Sequence, residues 1–138
     1  MLYTLGHIAA QDRKIDGYWS GELTQNEGGF VPNYIFEVYI QSDGNDISGE
    51  AIVSTPDSLS AKMLFKGKFH QGGFLKLKEY EIKEATTLMD QEWCLKTLSL
   101  FLKKKDDEYF LIGFWTGVSR SSVCIPGKIK LRRRAQRV

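Results

Sequence analysis

Histidine is scarce in this chain of 138 residues, which contains two histidines, two cysteines and three prolines. A structural zinc site needs about four nitrogen or sulfur ligands, and neither Cys94 nor Cys124 belongs to a Cys-x-x-Cys pair. We therefore expect no metal and no cofactor. Outside the N-terminal segment His70 stands alone, and no serine or cysteine nucleophile accompanies it in a recognisable motif, so we predict that the protein is not an enzyme.

Strong charge of one sign and long apolar runs are also lacking. The chain carries 19 basic and 17 acidic residues, a formal charge of +2 that is not the signature of a nucleic-acid-binding protein. We expect no nucleic-acid partner. Beyond the N-terminus no segment approaches the roughly 20 apolar residues that cross a bilayer as a helix. The basic tail, 133–138, is interpreted as a solvated end, and the alternative is a contact with phosphate or a membrane surface.

The first residues differ in composition from the rest. Residues 1–10 are mostly apolar or small and run directly into the polar sequence Gln11-Asp12-Arg13-Lys14. This pattern is typical of the end of a signal peptide, so residues 1–16 are interpreted as a signal remnant with a short arm. The alternative is a short N-terminal strand or a disordered arm. A signal implies a secreted or periplasmic protein; without one, a cytoplasmic location is the alternative.

The remaining sequence, 17–132, divides into short runs in which apolar and polar residues alternate. A change of phase after Leu77 indicates a β-bulge, with Tyr80 and Ile82 continuing the apolar pattern. No amphipathic helix is apparent. The pattern predicts an all-β domain, a single eight-stranded antiparallel up-and-down barrel, with a β-sandwich as the alternative. The expected strands are 17–24, 33–41, 47–53, 61–69, 74–82, 93–102, 109–117 and 123–131.

Two segments place a tryptophan between glycines, Gly17–Gly21 around Trp19 and Ile112–Gly117 around Trp115. A large ring beside residues without side chains suits a tightly curved sheet where two backbones approach closely. The segments come from opposite ends of the domain. We therefore expect them to be neighbours where the barrel closes.

The two cysteines form a disulfide if the protein is exported, and are two buried small apolar residues if it is cytosolic. In an up-and-down order both begin strands at the same end of the barrel, with one strand between them. Regular sheet positions would then lie about 9–10 Å apart, beyond the roughly 7 Å between Cα atoms that a disulfide allows. The bridge requires the chain before Pro126-Gly127 to leave the sheet and fold over the barrel end.

Gly17-x-Trp19 at the start of an eight-strand meander resembles the calycin group, which comprises lipocalins, fatty-acid-binding proteins and avidins. In lipocalins the opening tryptophan packs under an arginine near the end of the last strand, and Arg132 or Arg133 stands in a comparable position. A second lipocalin motif and a C-terminal helix are absent from this sequence. The resemblance implies a barrel that binds a small molecule in its interior.

Lys96 shares its predicted strand face with three leucines, which points its ammonium group toward an apolar interior. A buried lysine is costly unless it is paired, and Glu79 or Glu81 on the preceding strand is the expected partner. Such a lysine could anchor an anionic or carbonyl ligand. The alternative is a strand-end lysine that reaches water.

Two functions remain open from the sequence. The first is a non-enzymatic barrel that binds a small apolar or anionic ligand in its interior. The second is an exported interaction or structural domain with a filled core, which acts through its surface. A cavity of several hundred Å³ would favour the first and a filled interior the second. The candidate ligand-binding residues are Trp19, Tyr34, Phe36, Glu79, Trp93, Lys96 and Trp115.

Overall fold

Eight antiparallel strands follow one another in a computed structural model, which describes residues 15–135. Each strand pairs with the next, and the last pairs with the first, so the sheet closes into a barrel. The predicted up-and-down barrel is confirmed in place of the β-sandwich. The strands are β1 (Gly17–Thr24), β2 (Asn33–Asp43), β3 (Asp46–Ser54), β4 (Ser60–His70), β5 (Phe74–Ala85), β6 (Leu95–Lys105), β7 (Glu108–Val118) and β8 (Gly127–Arg134).

Strict alternation of side chains explains why these segments form one core. Along β2 every second residue is buried, whereas Ile35 and Tyr39 between them are exposed. This period of two places one face of each strand inside the barrel. The interior is packed through its middle by large side chains from many strands, including Phe36, Met63, Phe65, Leu77, Leu98 and Leu111.

The barrel closes between β1 and β8, where Trp19 lies opposite Arg133 and Gly21 opposite Leu131. A Cβ atom at Gly21 would lie 2.1 Å from the Lys130 carbonyl oxygen, so glycine allows this close approach. The second tryptophan segment is in β7, which pairs with β8 and not with β1. The two segments therefore lie on either side of β8, the strand that closes the barrel.

The residues just before β1 belong to the core. Ile15 is 1% exposed, and its carbonyl oxygen accepts a hydrogen bond of 2.9 Å from the Trp19 indole nitrogen. Asp16 accepts a hydrogen bond of 2.6 Å from the Ser42 hydroxyl. Residues 1–14, which hold most of the predicted signal remnant, and 136–138, which hold the end of the predicted tail, lie outside the described residues. At the other terminus β8 continues to Arg134.

The second half of β5 departs from the regular barrel. The β4–β5 register shifts twice, between Lys62 and Met63 and between Leu64 and Phe65, so the predicted bulge is confirmed. Tyr80 and Ile82 are 48% and 40% exposed and do not turn inward, which corrects their expected orientation. β5 pairs with β6 only as far as Lys78, opposite Thr97. Beyond that point the two strands separate.

The connection from β7 to β8 also differs from the expected strand. Val123 is 78% exposed and pairs with Val118 only through an isolated bridge, and β8 begins at Gly127. The chain leaves the sheet before Pro126-Gly127, as the disulfide requires. In residues 15–135 no helix is long and apolar enough to cross a membrane.

Candidate functional site

One end of the barrel contains a cavity of about 690 Å³ that opens to solvent. It lies where β1, β3 and β7 end and where β2 and β6 begin. Leu23, Tyr34, Val53, Lys96 and Trp115 contribute to its inner lining from these strands. The loops 86–94 and 119–126 extend its walls beyond the sheet. We call this cavity the cup.

Hydrogen bonds fix the aromatic lining of the cup. The indole nitrogen of Trp115 donates to the Thr24 carbonyl oxygen at 2.9 Å, so this ring reaches from β7 past β8 to the end of β1. The Tyr34 hydroxyl donates to the Gln25 side-chain oxygen at 2.6 Å, and the Gln25 amide donates to the Ile125 carbonyl oxygen at 3.1 Å. Burial raises the pKa of the Tyr34 hydroxyl above 10.0, which keeps it a neutral donor.

Lys96 lies at the inner end of the cup and is 3% exposed. Its ammonium nitrogen is 2.9 Å from Glu79 Oε1 and 3.5 Å from the Cys94 carbonyl oxygen, and it lies 5.6 Å from the centre of the Phe36 ring. The expected carboxylate partner is therefore Glu79. Glu81 is exposed and pairs in register with Leu64.

Glu79 also repairs the gap between β5 and β6. Its Oε1 atom accepts a hydrogen bond of 2.8 Å from the Lys96 backbone nitrogen, in the region where β5 no longer pairs with β6. The other oxygen, Oε2, is buried and has no hydrogen-bond partner. Burial raises the pKa of Glu79 above its usual value, and the attraction of Lys96 opposes this shift only in part.

Trp93 spans the same gap nearer the solvent. Its indole nitrogen donates to the Thr86 carbonyl oxygen at 2.9 Å, and its side chain lines the cup. One tryptophan thus joins the chain that follows β5 to the chain that precedes β6. The wall of the cup is therefore continuous here, although β5 and β6 do not pair at this level.

The predicted disulfide between Cys94 and Cys124 is confirmed, with Cα atoms 6.4 Å apart. Cys124 reaches Cys94 because its segment folds over the barrel end, where its backbone nitrogen donates to the Gly117 carbonyl oxygen at 2.9 Å. Both cysteines line the cup. The bridge therefore ties the loop 119–126 to the start of β6 as one fixed wall.

The rim of the cup carries acidic side chains that sequence reasoning did not identify. Asp90 and Glu92 line the mouth, and Glu92 accepts a hydrogen bond of 2.7 Å from the Ser121 hydroxyl. Hydrogen bonds from Ser121 and Ser119 lower the pKa of Glu92 and keep it ionised. Both acids lie in an irregular loop, where no periodicity indicates which side chains face a cavity.

The structure brings four of the seven candidate residues together at the cup: Tyr34, Trp93, Lys96 and Trp115. Glu79 contacts this group through Lys96, and Phe36 lies in the packed core below the ammonium group. Trp19 lies toward the opposite end, in contact with Ile15. Their role in ligand binding stays a prediction. Within residues 15–135 no cluster of three or more histidine, cysteine or acidic side chains could hold a metal.

Comparison of this chain with protein-family models, with curated proteins and with solved structures gives no match.

Proposed function

We propose that this protein is a non-enzymatic barrel that binds one small molecule in the cup. The observation that carries the proposal is a cavity of about 690 Å³ that ends on a buried, charged side chain, Lys96. Ligand sites in proteins are concave, mostly apolar, and contain a few placed polar groups. Because the middle of the barrel is filled, the ligand occupies only this end.

The charges around the cup favour a neutral ligand with an apolar body and one acceptor oxygen. Glu79 already compensates the positive charge of Lys96, and Asp90 and Glu92 make the mouth negative. An anion would meet this acidic rim and a charge that is already paired. The ammonium group has three N–H donors, of which Glu79 and the distant Cys94 carbonyl take two. The third donor is suited to a carbonyl or hydroxyl oxygen.

A calycin-like relationship supports the same function. The Gly17-x-Trp19 motif lies at the start of β1 at the closed end, and the register places Arg133 directly across from Trp19. This arrangement resembles the lipocalin pattern of an opening tryptophan and a late arginine, with Arg133 rather than Arg132 in the corresponding place. Arg132 is exposed and pairs with Glu108. The disulfide supports export, because such bridges persist in oxidising compartments.

A fluorescence titration tests the proposal. Trp93 and Trp115 line the cup, so N-phenyl-1-naphthylamine, a neutral apolar probe, should quench their emission as it binds. Lys96→Met should weaken binding of ketone-bearing analogues relative to this hydrocarbon-rich probe, whereas Tyr34→Phe should not, because the Tyr34 hydroxyl already donates to Gln25. Ile35→Ser, on the outer face of β2, serves as the control and should change the binding of neither the probe nor the ketone-bearing analogues. Native mass spectrometry of protein isolated without denaturation should detect a retained small molecule. Absence of both probe binding and a retained molecule would refute the proposal.

A further inference from the structure

The outer faces of β5 to β8 form a second surface that is unrelated to the cup. We define the basic wall as their outward-facing residues, which combine exposed apolar side chains with lysines. Phe101, Ile112 and Phe114 are 41%, 39% and 52% exposed. A monomeric protein seldom exposes neighbouring large apolar side chains without an interaction site to explain them.

The strand register places the apolar side chains beside one another. Phe101 lies opposite Phe74 on β5 and opposite Ile112 on β7, and the Phe74 and Phe101 ring centres are 5.0 Å apart. Phe114 lies opposite Ser99, a small residue that leaves the aromatic ring uncovered. Together these side chains make a continuous apolar centre on the wall.

Lysines border this centre on both sides. On β8, Lys128 lies opposite Phe114 and Lys130 opposite Ile112. On β5, Lys76 lies opposite Ser99 and Lys78 opposite Thr97. All four are exposed, and no carboxylate within residues 15–135 forms an ion pair with them.

The lysines of β5 also face lysines of β4. Lys66 lies directly opposite Lys78, and Lys68 directly opposite Lys76. Like charges in cross-strand pairs destabilise a sheet. Lys68 is relieved by an ion pair with Asp46, but among the described residues, 15–135, no carboxylate forms an ion pair with Lys66, Lys76 or Lys78. An external anionic partner would relieve this repulsion.

The opposite side of the barrel shows the reverse composition. β2 and β3 contain the acidic residues Glu37, Asp43, Asp46 and Glu50 and no lysine or arginine. β8 contains five basic residues and no acidic one. A chain with a formal charge of only +2 thus places lysines on the first half of β5 and on β8 and acidic residues on β2 and β3, so the two sides of the barrel differ in charge.

We propose that the basic wall docks on an anionic lipid bilayer, with the apolar centre at the headgroup boundary and the lysines on the phosphates. Single-stranded nucleic acid could stack on the Phe101 and Phe114 rings, but the aliphatic side chains of Ile112 and Val118 beside them add surface that base stacking does not use. Aliphatic and aromatic side chains bordered by lysines suit a lipid interface. This inference does not depend on a ligand in the cup.

Co-sedimentation of the full chain with vesicles tests the inference. We expect binding to vesicles of equal parts phosphatidylglycerol and phosphatidylcholine, and little binding to phosphatidylcholine alone. Lys76→Ser with Lys78→Ser should weaken binding by about fivefold for each lysine removed. This pair also removes cross-strand repulsion, so the fold should be retained. Lys62→Ser with Arg120→Ser, on β4 and in the loop 119–126 outside the wall, removes the same charge and should weaken binding much less.

The apolar centre has a closely matched control. Phe114 is 52% exposed on β7, and Ile35 is 53% exposed on β2. Phe114→Ser should weaken vesicle binding severalfold, and Ile35→Ser should leave it unchanged. No binding to the anionic vesicles at low salt, or equal effects of Phe114→Ser and Ile35→Ser, would overturn the inference. So would binding of a single-stranded oligonucleotide, or self-association in sedimentation velocity, that Phe114→Ser abolishes while vesicle binding persists.

Discussion

At the scale of single residues, the contact that most needs explanation is the buried pair of Lys96 and Glu79. Removing two charges from water costs more than their attraction returns unless further hydrogen bonds assist. Here the Lys96 backbone nitrogen assists by bonding Glu79 Oε1, whereas Oε2 remains without a partner. Each member therefore depends on the other: the carboxylate repairs a gap in the sheet, and the ammonium group makes its burial tolerable.

Replacing Lys96 alone should be costly in a way that depends on pH. Because burial raises the pKa of Glu79 above 4.5, the folded protein keeps a proton that the unfolded chain has already released. The retained proton contributes most to the free energy of unfolding below the usual pKa of a glutamate. This contribution is lost as pH rises through the raised pKa that Glu79 has in the folded protein. Lys96→Met removes the attraction that opposes the pKa shift of Glu79, so an ionised Glu79 would be buried without a partner. The substitution should cost about 3–5 kcal/mol at neutral pH and less in acid, where Glu79 is protonated.

Urea denaturation across a pH series measures this effect. The double variant Glu79→Gln with Lys96→Met should be more stable than Lys96→Met alone at neutral pH, because no buried charge remains. Lys83→Met serves as the control: Lys83 is 49% exposed in its pair with Glu50, so the loss should be at most about 1 kcal/mol. A cost of Lys96→Met that does not change with pH would contradict this account.

At the scale of elements, the two ends of the barrel are built differently. The cup end has long connections, 86–94 and 119–126, held by the disulfide and by Trp93. The opposite end has short turns, such as Asp106-Asp107, where both residues have positive φ. There Ile15 packs below Trp19 and contributes to closing the core. One end is thus closed by the chain entering β1, and the other is left open around a cavity.

Two changes near the N-terminus distinguish residues 1–11 from Ile15, which belongs to the core. Deleting residues 1–11 should leave the melting temperature nearly unchanged. Ile15→Ala should instead destabilise the barrel by about 2–5 kcal/mol, the range for truncating a large buried aliphatic side chain. Thermal unfolding followed by circular dichroism measures both. A loss of several degrees from the deletion would show that residues within 1–11 pack against the barrel. No loss of stability from Ile15→Ala would show that Ile15 does not stabilise the closed end.

At the scale of the whole molecule, closure joins the two ends of the chain. Tyr18 pairs with Arg134 and Leu23 with Ile129, so residues more than a hundred positions apart are neighbours in the sheet. Closure removes both exposed edges that an open eight-strand meander would present for aggregation. It also brings the start of β1 and the end of β8 to the same end of the barrel.

A circular permutant should therefore fold. A short Gly/Ser linker from Ala135 to Ile15, with new termini between Asp106 and Asp107 in the β6–β7 turn, keeps all eight strand pairings and the buried Ile15. Circular permutation is tolerated at exposed turns of this kind. Circular dichroism and melting should match the parent to within a few degrees, and unreduced mass spectrometry should find the same disulfide. An unfolded permutant with the Cys94–Cys124 bridge absent would show that β1 and β8 do not close the barrel as described.

Strand content and most of the inward faces could be predicted from the sequence, because alternation with a period of two is a local property that burial enforces. The second half of β5, where Tyr80 and Ile82 are exposed, is the exception. It also indicated the bulge in β5, the interior position of Lys96 and the condition under which Cys124 could reach Cys94. Each of these follows from residues within one strand or from the order of strands. For the same reason the alternation places Tyr34 and Lys96 on the apolar faces of their strands, whereas β7 is apolar on both faces and alternation does not assign Trp115.

The position of the cavity and its surroundings depend on contacts between distant parts of the chain. Whether an inward aromatic fills the core or lines a cup depends on its height along the barrel: Phe36 is covered from all sides, and Tyr34 lies one layer nearer the open end. The separation of β5 from β6, which makes Glu79 necessary, arises from two register shifts against β4. The acidic rim and the basic wall result from loop paths and cross-strand register, which join residues distant in the chain, and no local pattern encodes them.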